Sequence, residues 1–181
     1  MRGVLGLLEG GDRRSLGRVG EVVAAVRKDP RLFAELFEGM LVDDEVVRMR
    51  AADAAEKLTV ESPEFLIPYK RRLLGEVARI EQQEVRWHVA QMLPRLELSP
   101  QQRATAIRLL TSWLDDTSSI VRTFSMQALA DLATDDAKLR ARVAATIERM
   151  IAEGSPAVKS RGRRLLATLQ RSPSTAGSGR R

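Results

Sequence analysis

The chain of 181 residues contains no cysteine, which removes disulfides, thiolate nucleophiles and every metal site that needs sulfur. A reducing cytoplasm is the expected setting. Aromatics are scarce, with four Phe, two Trp and one Tyr, so the core must come mainly from Leu, Val, Ile, Ala and Met. That composition favours helices packed on helices over a β-sandwich. No stretch approaches the roughly 18 apolar residues of a membrane span, and the apolar run near Met1 is too short for a signal peptide. An unexported, soluble chain is expected. Residues 155–181 lack any acid and carry Lys159, Arg161, Arg163, Arg164, Arg171, Arg180 and Arg181, whereas residues 1–154 sum to −1. The body is neutral and the end basic.

What is present is a repeat. Four segments share an apolar residue followed by Arg or Lys: Val46–Leu58, Glu84–Leu96, Ile120–Leu132 and Ala157–Leu169. Their anchors Val47, Val85, Val121 and Val158 lie 38, 36 and 37 residues apart, a period that belongs to helical repeat arrays. Inside each segment the small and apolar positions follow helical spacing, as in Val47, Ala51, Ala54, Ala55 and Leu58. Small residues at the middle positions (Ala51, Ala52, Ala90, Ser125, Gly162) let a neighbouring helix approach closely.

Before each of these second helices runs another amphipathic stretch: 32–41, 65–77, 107–114 and 139–151. These are the first helices of four hairpins. Ser62-Pro63 and Ser99-Pro100 mark two of their starts, and Ser155-Pro156 marks the last second helix, with Ser supplying the cap oxygen and Pro standing where a missing N–H costs nothing. Pro68 and Pro94 are each expected to kink or end a helix. Trp113, on a first-helix apolar stripe, is assigned to the core. Residues 15–26 have the right apolar texture but lack the Val-Arg pair, as a degenerate N-terminal cap would.

Val47-Arg48, Val85-Arg86, Val121-Arg122 and Val158-Lys159, the Ala/Leu pattern behind them and Pro68 resemble the HEAT-repeat family. The resemblance covers residues 31–169 and implies an all-α superhelix, a HEAT-type solenoid of four to five helical hairpins. It divides the chain into an N-terminal segment 1–14, a repeat domain 15–169 and a disordered basic tail 170–181. The family's Asp before the Val-Arg pair is matched by Asp116, with Asp43 and Glu81 one residue out of place.

By the same resemblance the second helices line the concave surface, and their variable positions face outward. Aligned across the repeats these are Met49, Trp87, Thr123 and Ser160; Arg50, His88, Phe124 and Arg161; and Asp53, Gln91, Gln127 and Arg164. Exposed aromatics beside Arg have the composition of a binding hot spot, so Arg50, Trp87, His88, Gln91, Phe124 and Gln127 are the expected partner contacts, the alternative being that Trp87 and Phe124 fold down onto neighbouring helices. Lys159, Arg161 and Arg164 either offer themselves to phosphates or form a solvated terminal cap. His88 has no Ser, Cys or carboxylate at a meaningful spacing to make it a general base, and one histidine cannot supply the paired His-Glu motifs of HEAT-like hydroxylases. No cofactor, metal or catalytic residue is expected. The reading is a non-enzymatic scaffold that binds a protein or peptide on its concave face. The alternative is a nucleic-acid-binding HEAT-like protein related to alkylbase DNA glycosylases, with Trp87, Asp53 and Arg50 as counterparts, or weaker non-specific nucleic-acid binding at the basic end. The net charge of −1 over residues 1–154 speaks against a duplex binder.

Overall fold

A computed structural model describes residues 3–171. Of the described residues 76% are helical, as a repeat array with short loops requires. Helix α1 (Val19–Lys28) precedes four hairpins: α2 (Leu32–Gly39) with α3 (Glu45–Glu61); a 3₁₀ segment Pro63–Tyr69 continued by α4 (Lys70–Leu74) with α5 (Gln83–Met92); α6 (Pro100–Ser112) with α7 (Ser119–Leu132); and α8 (Ala137–Glu153) with α9 (Pro156–Gln170). Helices α1, α3, α5, α7 and α9 stack on one another in that order, and the first elements of the hairpins cover their other side. No helix among the described residues is long and apolar enough to cross a membrane.

The Val-Arg pairs have a structural reason. Val47, Val85, Val121 and Val158 are fully or almost fully buried, anchoring the first turn of each second helix. The following arginine turns back and donates to the carbonyl six residues earlier: Arg48 to Val42 at 2.9 Å, Arg86 to Ile80 at 3.2 Å, and Arg122 to Asp116. Each pair therefore closes the loop inside its own hairpin while starting the helix. Two of these arginines also reach the next repeat, Arg48 Nε to Gln82 Oε1 at 2.7 Å and Arg86 Nη1 to Asp116 Oδ2 at 2.6 Å. Asp116 thus acts as aligned, whereas Glu81 is passed over in favour of its neighbour Gln82.

Helix starts follow the sequence in most places. Ser99 and Gln102 form a reciprocal capping box, Ser155 accepts from Val158 N, and Asp44 accepts from Val46 N at 2.8 Å. Ser62 makes no side-chain cap bond, because Pro63 opens a 3₁₀ segment. Pro68 lies inside that segment, and the expected helix over 65–77 is broken into short pieces around it. Pro94 ends α5 in a 3₁₀ turn at Leu93–Arg95. Trp113 is 4% exposed, in the core as expected.

The N-terminal segment differs from its expected place outside the repeat domain. Val4, Leu5 and Leu8 are buried in the same core as α1–α3, and Leu5 N donates to Glu35 Oε1 at 3.2 Å. A glycine-rich strap over residues 9–17 then crosses α3. The expected disordered tail falls, from residue 172 onward, outside the described residues; Gln170 closes α9.

Candidate binding surface on the second-helix layer

At the front of the layer, Arg50 is 2% exposed, contrary to its expected outward position. Five main-chain carbonyls, that of Leu8 and four of the strap, receive its guanidinium: Nη1 donates to Leu8 at 2.8 Å, Gly10 at 2.7 Å and, more weakly, Glu9 at 3.5 Å, Nε to Ser15 at 3.0 Å, and Nη2 to Asp12 at 3.2 Å. These bonds satisfy most of the donors of a buried cation, which otherwise could not be tolerated. Gly17 has φ +53°, and a Cβ there would stand 2.9 Å from Arg50 Cζ, so glycine is required both for the backbone and for the close approach. Arg13, on the same strap, places Nη2 2.7 and 2.8 Å from the two oxygens of buried Glu84 and Nη1 3.1 Å from Glu45. The strap therefore spans from α3 to α5.

In the middle, His88 is also buried, at 8% exposure, and so leaves the set of surface contacts. Its Nε2 lies 3.7 Å from Asp53 Oδ1 and its Nδ1 has no partner. Burial pushes the imidazole down to about 4, with Glu56 and Glu84 pulling upward and Lys57 and Arg95 downward. At 3.7 Å the Asp53 carboxylate is beyond hydrogen-bond reach, and the ring is neutral at pH 7. Asp53 is itself buried and paired with Lys57. With Arg50 enclosed and Asp53 occupied, two of the three residues that the glycosylase-like alternative needs are not presented to a ligand. Trp87 is half-buried against the core, its ring 5.6 Å from that of His88, and Gln91 Nε2 donates to Trp87 O at 3.3 Å. Among the described residues no group of three or more metal-type side chains converges.

At the back, α7 and α9 bring Phe124, Gln127 and Arg161 together. The Arg161 guanidinium lies 5.7 Å from the centre of the half-buried Phe124 ring, and its Nη1 donates to Gln127 Oε1 at 3.0 Å. Gln127 Nε2 in turn donates to Asp131 at 2.8 Å. Beside this chain of contacts a cleft of about 420 Å³ opens, flanked by Arg140, Arg161, Arg164 and Arg171, with Leu165 and Leu169 among its apolar lining. Desolvation raises the Asp131 carboxyl above its usual range although the residue as a whole is exposed; Gln127 and Arg161 oppose the shift. Of the three basic residues singled out from the sequence, Arg161 and Arg164 meet in this cleft and Lys159 does not line it. Arg140 and Asp131 escaped sequence reasoning, since they lie outside the aligned variable columns. The only trace is the i, i+4 spacing of Gln127 and Asp131 on one helix face.

No curated protein and no solved structure matches the chain. A family model, that of the HEAT repeat domain, matches residues 11–169, the stretch that holds most of the strap, α1 and the four hairpins up to Leu169. With the Val-Arg anchors buried at each repeat and the second helices stacked in register, the chain belongs to the HEAT repeat domain family.

Proposed function

We propose that the protein is a non-enzymatic interaction scaffold that binds a protein or peptide along its second-helix face, the concave face of such arrays, with Trp87, Gln91, Phe124 and Gln127 as contacts. One observation carries this reading. The strap closes the front of the second-helix layer, whereas the stretch from α5 to α9 keeps two half-buried aromatics, Trp87 and Phe124, the latter beside the Arg161 cation, and an open cleft next to it. Aromatic and Arg side chains in a partly enclosed setting supply a large share of binding energy in protein interfaces.

Affinity capture with the wild type and a Trp87→Ala/Phe124→Ala variant tests it. A protein captured by the wild type should be lost by the variant, with truncation costing about 2 kcal/mol or more in a titration of the purified pair. Capture of the same proteins by both, at unchanged circular dichroism, would remove this face from the interaction.

A further inference from the structure

The repeat contains its own template for a ligand. Arg50 and Arg161 occupy the same aligned position three repeats apart, the first on α3 and the second on α9. At the front the position is filled: a non-helical segment of the chain lays its carbonyls on the guanidinium. At the back, among the described residues, Arg161 bonds to Gln127 and lies over the Phe124 ring, with Asp131 outside ion-pair distance but within reach of its charge. Elsewhere arginines of this protein are commonly neutralised, by Glu84, Glu61, Glu38, Asp116, Glu56 or Asp136. Arg140, Arg164 and Arg171 take part in no ion pair among the described residues, and α9 has no acid of its own. Asp131 is the one carboxylate in the lining of their cleft.

We propose that this cleft between α7, α8 and α9 binds a non-helical acidic peptide segment of a partner protein. The inference rests on the scaffold reading and names the class of partner. Main-chain carbonyls of the segment lie on Arg161 as residues 8–15 lie on Arg50. Its carboxylates meet Arg140, Arg164 and Arg171, where planar guanidinium groups favour two-pronged contact. An apolar side chain between the acids rests on Leu165 and Leu169. The size of the cleft, about 420 Å³, suits a few side chains and falls within the range of small binding sites. A nucleic acid fits less well: the cations are confined to one end of the array, whereas strand binding needs a basic track along it.

The full chain is titrated into two fluorescein-labelled peptides, one alternating Leu with Glu and one alternating Leu with Lys, with a single-stranded DNA oligonucleotide as a third probe. The Glu peptide should bind, in a salt-sensitive way, and weaken at least about tenfold with Arg164→Glu, an exposed position where folding is not at stake. Arg161→Glu should act in the same direction, while Arg71→Glu, on α4 in the opposite layer, should leave binding unchanged. Absence of Glu-peptide binding, equal binding of the Lys peptide, or indifference to Arg164→Glu overturns the proposal. Tighter binding of the oligonucleotide through the same arginines overturns it in favour of nucleic acid. If a captured partner is lost with Trp87→Ala/Phe124→Ala but kept with Arg164→Glu, the scaffold reading stands and this cleft is not its peptide site.

Discussion

The front and back of the second-helix layer are built from the same repeat and treat their arginines in opposite ways. Around α3 and α5 cations are absorbed: Arg50 by carbonyls of the strap, Arg13 by Glu84 and Glu45, Arg48 by Val42 and Gln82, Arg86 by Ile80 and Asp116. On α9, Lys159, Arg163 and Arg164 have no such partners among the described residues, and Lys159 does not turn back to its loop as Arg48, Arg86 and Arg122 do. A buried cation must have its donors met or it destabilises the fold, whereas an exposed one keeps its hydration. The same repeat position is thus enclosed under the strap at one end, as Arg50, and only half-buried at the other, as Arg161.

Arg50→Ala against Arg161→Ala is the most direct way to break this comparison. The first removes a cation that gathers five carbonyls of Leu8 and the strap and should cost about 3 kcal/mol in urea denaturation, with the strap becoming susceptible to protease. The second removes a side chain held by one glutamine and one ring face and should cost under about 1 kcal/mol. Equal costs would mean that the strap contributes nothing to the front. A smaller effect concerns His88, which stands between the two at the same aligned position. Its folded value of about 4 lies below its ordinary 6.5, so the unfolded chain takes up the proton first as pH falls. Its contribution is fully present above about pH 6.5 and is lost as pH approaches 4, amounting to about 2 kcal/mol between pH 7 and pH 5. The loss of stability over that interval should shrink in His88→Asn; an unchanged pH profile would show that the imidazole is hydrated in the folded state.

The sequence carries the hairpins plainly because each depends on local spacing: a buried Val every 36 to 38 residues, small residues behind it, Ser-Pro at Ser99 and Ser155. Trp113 was legible for the same reason, lying on an apolar stripe. Arg50 was not. Its partners are main-chain carbonyls from 35 to 42 residues upstream, and a carbonyl leaves no mark on the side-chain pattern. His88 was hidden likewise, since a polar residue in a variable column is expected outside, and only the packing of Trp87 and Glu84 around the α3–α5 contact reveals it as buried. The back cleft was half legible: Arg161 and Arg164 stand in the variable columns, while Arg140 comes from the first helix of the last hairpin.

The remaining effects concern close packing rather than charge, and they decide whether the back is also looser in its core. Ala90, in the middle of the layer, is fully buried, and Ala90→Leu should cost roughly 1–3 kcal/mol because the surrounding helices cannot move apart without disturbing both neighbours. Gly162 on α9 is equally enclosed: a Cβ there would meet Ile151 Cγ1 at 2.7 Å and Ile147 Cγ2 at 3.2 Å. Two terms oppose each other in Gly162→Ala. Alanine favours a helix interior over glycine by about 1 kcal/mol, and the clash with Ile151 pushes the other way. Ile151 is half-buried on the last hairpin, but its Cγ1 moves only by turning a χ1 that a β-branched residue in a helix holds firmly, so the thermal midpoint should fall slightly, by less than in Ala90→Leu. A loss as large as that of Ala90→Leu would show that α8 and α9 pack as rigidly as the middle of the array. The difference between the two ends would then lie in their arginines alone, and the open cleft at the back would be a fixed feature of the fold.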